Sequence, residues 1–313
     1  MLSPLSFGGL YRPARGRADE AVIQSGIDLG GLGLASLPAQ PSEEEWQRVG
    51  KEIRSAFKDI GFVYLSNHGI PQGVIDEVFD VAGETSKGYT APNQERLTEA
   101  KGVQELRESF DIHTPDGAFP DQELATLRPA ARTLFEKCSV LTFRILTAMA
   151  IALGLERSYF VKRHEGLAGT KNSSCMRLLY YPALPDGEGA DEGEVTRCGA
   201  HTDYGTVTLL FQDAAGGLEV KERGGAWVSA LPIPGTILVN AGDILQFWTG
   251  DVFRATEHRV LLTESRSKAR QSVVFFVHPD GDVVIEPLDG SGRYMPVEAK
   301  QHAIKRFSET YNL

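Results

Sequence analysis

The sequence lacks long hydrophobic runs, and it lacks a segment that would direct the protein to or across a membrane. No apolar stretch approaches the roughly 18 residues that a membrane-spanning helix needs. The opening segment MLSPLSFGGLYRPARGR also has no continuous apolar core of the kind found in export signals. These absences favour a cytoplasmic protein with no membrane partner, and we interpret residues 1–20 as a flexible tail.

Basic charge and cysteine are also scarce. The chain of 313 residues has 32 Lys and Arg against 42 Asp and Glu, a formal net charge of −10. A nucleic-acid partner would require a basic face, so we expect a small-molecule partner instead. The three cysteines (Cys138, Cys175 and Cys198) form no CxxC pair, which argues against a disulfide framework and a zinc cage. Nothing in the sequence requires an oligomer, so we expect a monomer.

The pattern of apolar residues changes along the chain. Apolar residues at helical spacing predict helices at 43–57 and 72–89, with a strand-like run between them at 62–65. A short strand is predicted at 109–112, and a long helix is predicted at about 122–153. After Ser173, nine short runs have strand propensity, from MRLLYY through ILQFWTG to DVVIEPL, and a last helix follows. We interpret the acidic patch DGEGADEGE at 186–194 as a solvated loop, with a lid as the alternative.

This order predicts a mainly β protein with flanking helices, in which a β-sandwich or barrel forms the core. The predicted divisions after the tail are an N-terminal α/β domain at 21–125, a long supporting helix at 126–165, a β core at 166–290 and a C-terminal helix at 291–313.

The stretch GAHTDYGTVTLLFQD at 199–213 contains two potential metal ligands. His201 and Asp203 lie two residues apart, so in an extended chain both side chains point to the same face. His258, at the start of a later predicted strand, is the best candidate for a third ligand. Two histidines and a carboxylate form the facial triad of non-haem Fe(II) oxygenases. The HxD spacing alone also fits an ordinary surface histidine.

A second polar pair supports the metal interpretation. Arg270 and Ser272 begin the run RQSVVFF at positions i and i+2, again on one face. A guanidinium group binds a carboxylate through two hydrogen bonds, and the neighbouring hydroxyl adds a third donor. The pair therefore predicts a clamp for the distal carboxylate of a dicarboxylic co-substrate whose other end binds the metal.

Taken in order, HTD, the distal His and RxS resemble the Fe(II)/2-oxoglutarate-dependent dioxygenases of the isopenicillin N synthase-like family. The resemblance extends over nearly the whole chain. FKDIGFVYLSNHGIP at 57–71 resembles the N-terminal domain of the family, MRLLYYP at 176–182 resembles its co-substrate strand, and NAGDILQFWTG with EHRV resembles the stretch that leads to the third ligand.

The resemblance implies a double-stranded β-helix, the cupin-like jelly roll, with an N-terminal α/β extension. It implies that the enzyme uses Fe(II), 2-oxoglutarate and O₂, with ascorbate as an auxiliary reductant, and hydroxylates a small organic molecule while 2-oxoglutarate is decarboxylated to succinate and CO₂. The implied iron ligands are His201, Asp203 and His258. The implied co-substrate ligands are Arg270, Ser272 and Tyr181.

Two alternatives stay open on the sequence alone. One is a 2-oxoglutarate-independent Fe(II) oxidase of the same family, which closes a ring or fragments its substrate. The other is a non-catalytic jelly-roll sensor of small molecules. Leu179 stands where many members have an asparagine, so one polar contact to the co-substrate is missing. For the substrate we consider four candidate contacts: Tyr204, Arg177, Phe110 and Phe247. Packing is the alternative role for the aromatic residues, and a structural ion pair is the alternative for Arg177.

Overall fold

The computed structural model describes residues 23, 26–32, 41–84, 104–167, 169–184, 195–262 and 268–311. The predicted tail at 1–20 and the acidic patch at 186–194 lie outside these residues. Within the described ranges, none of the helices combines the length and the apolar character that crossing a membrane requires.

Five helices and fifteen strands are present in the described residues. The helices are α1 (Glu43–Asp59), α2 (Gln72–Glu84), α3 (Leu127–Ala152), α4 (Asp243–Trp248) and α5 (Ala299–Tyr311). Seven of the strands start before residue 200: β1 (Gly26–Asp28), β2 (Phe62–Ser66), β3 (Gln104–Glu105), β4 (Glu108–Ile112), β5 (Cys175–Tyr181), β6 (Val195–Thr196) and β7 (Cys198–His201). The later strands are β8 (Val207–Gln212), β9 (Leu218–Lys221), β10 (Trp227–Ser229), β11 (Thr236–Ala241), β12 (His258–Val260), β13 (Arg270–Val277), β14 (Val284–Ile285) and β15 (Val297–Glu298).

Two sheets form the β core. The larger sheet has the order β1-β2-β11-β8-β13-β5-β4, and the smaller has the order β10-β9-β12-β7. Apolar side chains from both sheets share one buried cluster, to which Leu238 on β11 and Val220 on β9 belong. The fold is a double-stranded β-helix core, as predicted, and its interior lies between the two sheets.

Helices α1, α2 and α3 cover the outer face of the larger sheet. Phe135 on α3 packs edge-on against Phe275 on β13, with ring centroids 4.9 Å apart. Helix α1 packs against α3 and is capped by Ser42, whose side chain accepts a hydrogen bond from the backbone N–H of Glu45 at 3.2 Å. Burial of the apolar faces of α1 and α3 stabilises the packing of these helices against the larger sheet.

The long helix starts later than predicted. It begins at Leu127 instead of near Gln122 because Pro129 stands in its first turn. A proline ring clashes with the carbonyl group four residues earlier, so a helix that continued upstream of Thr126 would be sterically opposed. Residues 121–126 form turns instead.

The run ILQFWTG is helical, so the prediction of a strand there was wrong. Helix α4 spans Asp243–Trp248, and its buried residues are Ile244, Leu245 and Trp248. That i, i+1, i+4 spacing places three apolar side chains on one helical face, and Gly242 in front of it is extended. Short apolar runs are ambiguous between the two periods, and here the helical period applies.

Candidate active site

Strand pairing brings three potential metal ligands together at one end of the smaller sheet. His258 on β12 lies directly opposite His201 on β7, and Asp203 follows two residues after β7 ends. One ligand atom from each side chain lies within 4.8 Å of the others. The Nε2 atoms of His201 and His258 lie 3.7 Å and 3.6 Å from Oδ1 of Asp203.

Hydrogen bonds orient each of these side chains. Nδ1 of His201 donates to the carbonyl oxygen of Gly199 at 2.8 Å, and Nδ1 of His258 donates to that of Thr256 at 3.1 Å. Each Nδ1 proton is therefore held by a backbone carbonyl group, and both Nε2 atoms face the shared centre. Oδ2 of Asp203 accepts a hydrogen bond of 2.7 Å from the Nδ2 group of Asn240.

The electrostatics favour the protonation states that bind a metal. Burial alone would raise the pKa of Asp203, but His258, His201 and the hydrogen bond from Asn240 together lower it below its usual range. Burial, aided by the approach of His201, lowers the pKa of His258. The carboxylate is therefore ionised and the imidazole is neutral near pH 7. Two imidazole nitrogens and one carboxylate oxygen fit a divalent transition metal such as Fe(II).

The predicted carboxylate clamp lies on β13 and β5 of the larger sheet. Arg270 is 1% exposed. Its Nη1 donates to Oγ of Ser272 at 3.1 Å and its Nε donates to the carbonyl oxygen of Gly216 at 3.0 Å. Tyr181 is opposite Arg270 in the β5–β13 register, and the guanidinium carbon lies 5.0 Å from the centroid of its ring. Burial raises the pKa of Tyr181, so its hydroxyl keeps the proton that it would donate.

The triad and the clamp line one cavity of about 60 Å³, here called the smaller cavity. Leu179 also lines it and is opposite Ser272 in the strand register. An apolar side chain therefore occupies the position where the family resemblance suggests an asparagine. Phe62 closes the cavity beside the metal ligands, with its ring edge-on to His258 at 5.3 Å.

A second cavity of about 230 Å³, here called the larger cavity, adjoins the triad. Its described lining residues are Asp111, His113, Ser173, Cys175, Arg177, His201, Thr202, Asp203, Tyr204, Phe276, His278 and Phe307. His201, Asp203 and Phe276 line both cavities. A molecule in the larger cavity would therefore lie beside the metal ligands.

Two of the four predicted substrate contacts line the larger cavity. Arg177 makes a bidentate ion pair with Asp111, with Nε–Oδ1 and Nη2–Oδ2 distances of 2.6 Å and 2.7 Å. The structural ion pair that was the alternative for Arg177 is thus present, and it forms part of the cavity wall. Tyr204 also lines the cavity, and its ring meets Phe307 of α5 edge-on at 5.8 Å.

The other two predicted contacts lie elsewhere. Phe110 is in the buried cluster between the larger sheet and the helices, because side chains alternate along β4 and Asp111 takes the inward face. Phe247 stacks on Tyr294 with ring centroids 4.7 Å apart and does not line either cavity. Sequence reasoning did not identify Asp111, Asn240 or Phe307. The alternation in ESFDI is the signal that would have identified Asp111.

Comparisons with known proteins agree with this geometry. A family model described as the 2OG-Fe(II) oxygenase superfamily matches residues 172–279. A second, described as the non-haem dioxygenase in morphine synthesis N-terminal domain, matches residues 26–85. A UPF0676 protein of Schizosaccharomyces pombe is 34% identical, over 79% of this chain and 83% of its own length.

Two further relatives have informative names. A homoarginine-6-hydroxylase of Glycine max is 31% identical over 82% of this chain and 86% of its own. The crystal structure of a full-length Neurospora crassa protein in complex with alpha-KG, which is 2-oxoglutarate, and thymine superposes with a TM-score of 0.80. That protein is 26% identical, and the match covers 94% of this chain and 98% of that one.

Proposed function

Since this chain belongs to the 2OG-Fe(II) oxygenase superfamily, we propose that His201, Asp203 and His258 hold its Fe(II). The observation that carries the proposal is that these three side chains line one cavity together with an arginine and a serine from the opposite sheet. The protein is an Fe(II)- and 2-oxoglutarate-dependent oxygenase that hydroxylates a small molecule.

We assign the distal carboxylate of 2-oxoglutarate to Arg270, Ser272 and Tyr181. The buried guanidinium supplies the charge, and the two hydroxyl groups supply further donors. Leu179 contributes an apolar wall in the same cavity. The clamp fixes one end of the co-substrate, so its 2-oxo acid end is directed at the proposed metal ligands.

The larger cavity is the proposed substrate site. Asp111 neutralises Arg177, so this ion pair offers hydrogen-bond donors and acceptors without net charge. The aromatic rings of Tyr204, Phe276 and Phe307 supply apolar walls. We propose a small substrate without net charge, either a zwitterionic amino acid or a neutral heterocycle. The Neurospora complex contains thymine, which is a neutral heterocycle, whereas the soybean relative is named for homoarginine, an amino acid whose side chain adds a positive charge.

The roles of the protein groups follow from these positions. Fe(II) with 2-oxoglutarate and O₂ supplies the oxidising power for C–H hydroxylation. Asn240 holds the free oxygen of Asp203, and backbone carbonyl groups hold the protons of both imidazoles away from the metal position. The aromatic walls exclude water from the reacting bond, and the Asp111–Arg177 pair orients the substrate beside the triad.

Anaerobic addition of Fe(II) and 2-oxoglutarate tests the assignment. We expect a weak visible charge-transfer band in the wild type, none in His201→Ala, and a weaker affinity for 2-oxoglutarate in Arg270→Ala. Amino acids and neutral heterocycles are then screened for stimulated succinate release, with Asp111→Asn as the variant that alters the cavity and leaves the triad intact. A wild type without the band refutes the site. The cytoplasmic location and the monomeric state remain proposals for cell fractionation and size-exclusion chromatography.

A further inference from the structure

Arg197 is a completely buried arginine whose guanidinium group is largely without partners. It lies just before β7 and is 1% exposed. Nη2 donates to the carbonyl oxygen of Lys268 at 2.5 Å. Nε and Nη1 are buried and have no hydrogen-bond partner. An arginine side chain stays charged in proteins, and a buried charge without a partner is costly, so this arrangement needs an explanation.

The position of Arg197 places its charge beside the carboxylate clamp. The next residue, Cys198, lines the smaller cavity together with Arg270. Lys268, which accepts the hydrogen bond from Arg197, stands two residues before Arg270 at the start of β13. Burial lowers the pKa of Arg197, and the positive charge of Arg270 lowers it further, which indicates that the two guanidinium groups are close enough to repel each other.

No carboxylate of the described residues forms an ion pair with Arg197. Asp213 lies near enough to favour the charged form. Its carboxylate, however, accepts hydrogen bonds from the backbone N–H groups of Ala215 and Gln271, at 2.9 Å and 2.6 Å. The smaller cavity therefore has more buried positive charge at its clamp end than the described protein groups compensate. An anion bound at the clamp would supply the missing negative charge.

We propose that Arg197 is a positioning residue that strengthens binding of the distal carboxylate of 2-oxoglutarate through its charge and so selects a dicarboxylic co-substrate. The inference rests on the proposed function, because it takes Arg270 and Ser272 as the groups that contact this carboxylate. Arg197 acts through space from behind the clamp. Its charge favours a 2-oxo acid with a second carboxylate over one without it, and it leaves metal binding unchanged.

Two ligands separate a charge effect from general damage. 2-Oxoglutarate has the distal carboxylate, and 2-oxopentanoate has the same chain length without it. Dissociation constants are measured anaerobically with Fe(II), from the visible band and at ligand concentrations up to the millimolar range, for the wild type, Arg197→Met and Arg197→Gln. We expect 2-oxoglutarate to bind about 5- to 30-fold more weakly to both variants. Affinity for 2-oxopentanoate should change less than about twofold, since that ligand lacks the attracted charge.

The variants are chosen so that each outcome is decisive. Gln removes the charge and retains an amide N–H donor, so it serves if the methionine variant does not fold. Arg197→Lys keeps the charge and should retain most of the preference. Arg163→Met is the matched control, because Arg163 stacks on Tyr159 at 3.7 Å, away from the clamp, and should leave both affinities unchanged.

Unchanged 2-oxoglutarate affinity in the neutral Arg197 variants would overturn the inference, and so would an equal loss for both ligands. A wild type without a 2-oxoglutarate-dependent band would instead refute the proposed function. The two failures are thus distinguishable.

Discussion

The hydrogen bond from Asn240 to Asp203 allows a quantitative test of the proposed metal site. Oδ1 of Asp203 faces the two imidazoles, and Oδ2 accepts the Nδ2 group of Asn240 at 2.7 Å. Asn240 is 2% exposed and Asp203 is 6% exposed, so water does not readily replace the lost donor. Asn240→Ala would leave a buried carboxylate oxygen without its partner and free the carboxylate to rotate.

A hydrogen bond to a charged group contributes about 1.5–3 kcal/mol. At about 1.4 kcal/mol for each factor of ten, this energy corresponds to a loss of metal affinity of roughly 10- to 100-fold, the range typical of groups that orient metal ligands. Thr208 also lowers the pKa of this carboxylate and remains in the variant, which favours the lower end of that range.

The assay is anaerobic competition between the protein and a chromogenic chelator for Fe(II), repeated with Mn(II). Asn172→Ala is the matched control. Asn172 is also a buried asparagine, and its Nδ2 group donates to the carbonyl oxygen of His278 and to Oδ1 of Asp280, both at 2.8 Å. The control should lower the melting temperature and leave metal affinity within about twofold. If Asn240→Ala bound Fe(II) as tightly as the wild type, the proposed role of Asn240 would be wrong.

Three further predictions concern stability. Burial lowers the pKa of His164 to about 4 in the folded protein, against about 6.5 in the unfolded chain. As the pH drops below about 6.5, the unfolded chain binds a proton that the folded protein does not. The free energy of unfolding should therefore decrease, by about 2 kcal/mol at pH 5. Urea unfolding of wild type and His164→Gln at pH 7 and pH 5 measures this loss, and equal losses in the two proteins would contradict the assignment. Phe275 packs in the core against Phe135, so Phe275→Ala should lower the free energy of unfolding, measured with urea, by about 3–5 kcal/mol. Val140 is 56% exposed, so Val140→Ala should lower it by less than about 0.5 kcal/mol. Similar losses in the two variants would contradict the packing described. Ser42→Ala should cost about 1 kcal/mol in thermal unfolding through loss of the α1 cap, and failure of Ser42→Asp to restore stability would argue against capping.

Two parts of the proposed site were accessible from the sequence because they depend on short-range order. Arg270 and Ser272 are an i, i+2 pair on β13, and His201 and Asp203 have the same spacing at the end of β7. The position of His258 beside them depends instead on the pairing of β12 with β7. The β core followed from the same period. The prediction for ILQFWTG was wrong because a short apolar run fits both periods, and only tertiary packing of Trp248 and its neighbours selects the helix.

The larger cavity depends on contacts between distant segments. Asp111 meets Arg177 because β4 pairs with β5 across 66 residues of chain. Neighbouring residues of β4 point to opposite faces, so an error of one residue in the inferred face selects Phe110 instead of Asp111. For this reason the predicted substrate contact, Phe110, lies in the core. The surroundings of Arg197 likewise depend on the position of Lys268, which no local pattern indicates.

The two cavities share some walls and differ in others. Residues of β5, β7 and β13 line both, whereas only the larger cavity has contributions from β4 and helix α5. Asp111 and Phe307 therefore shape the proposed substrate site and do not line the cavity that contains Arg270 and Ser272. Diversifying these two positions should yield catalysts for new compounds from one unchanged oxidative machinery, so the scaffold is suited to directed evolution of substrate scope.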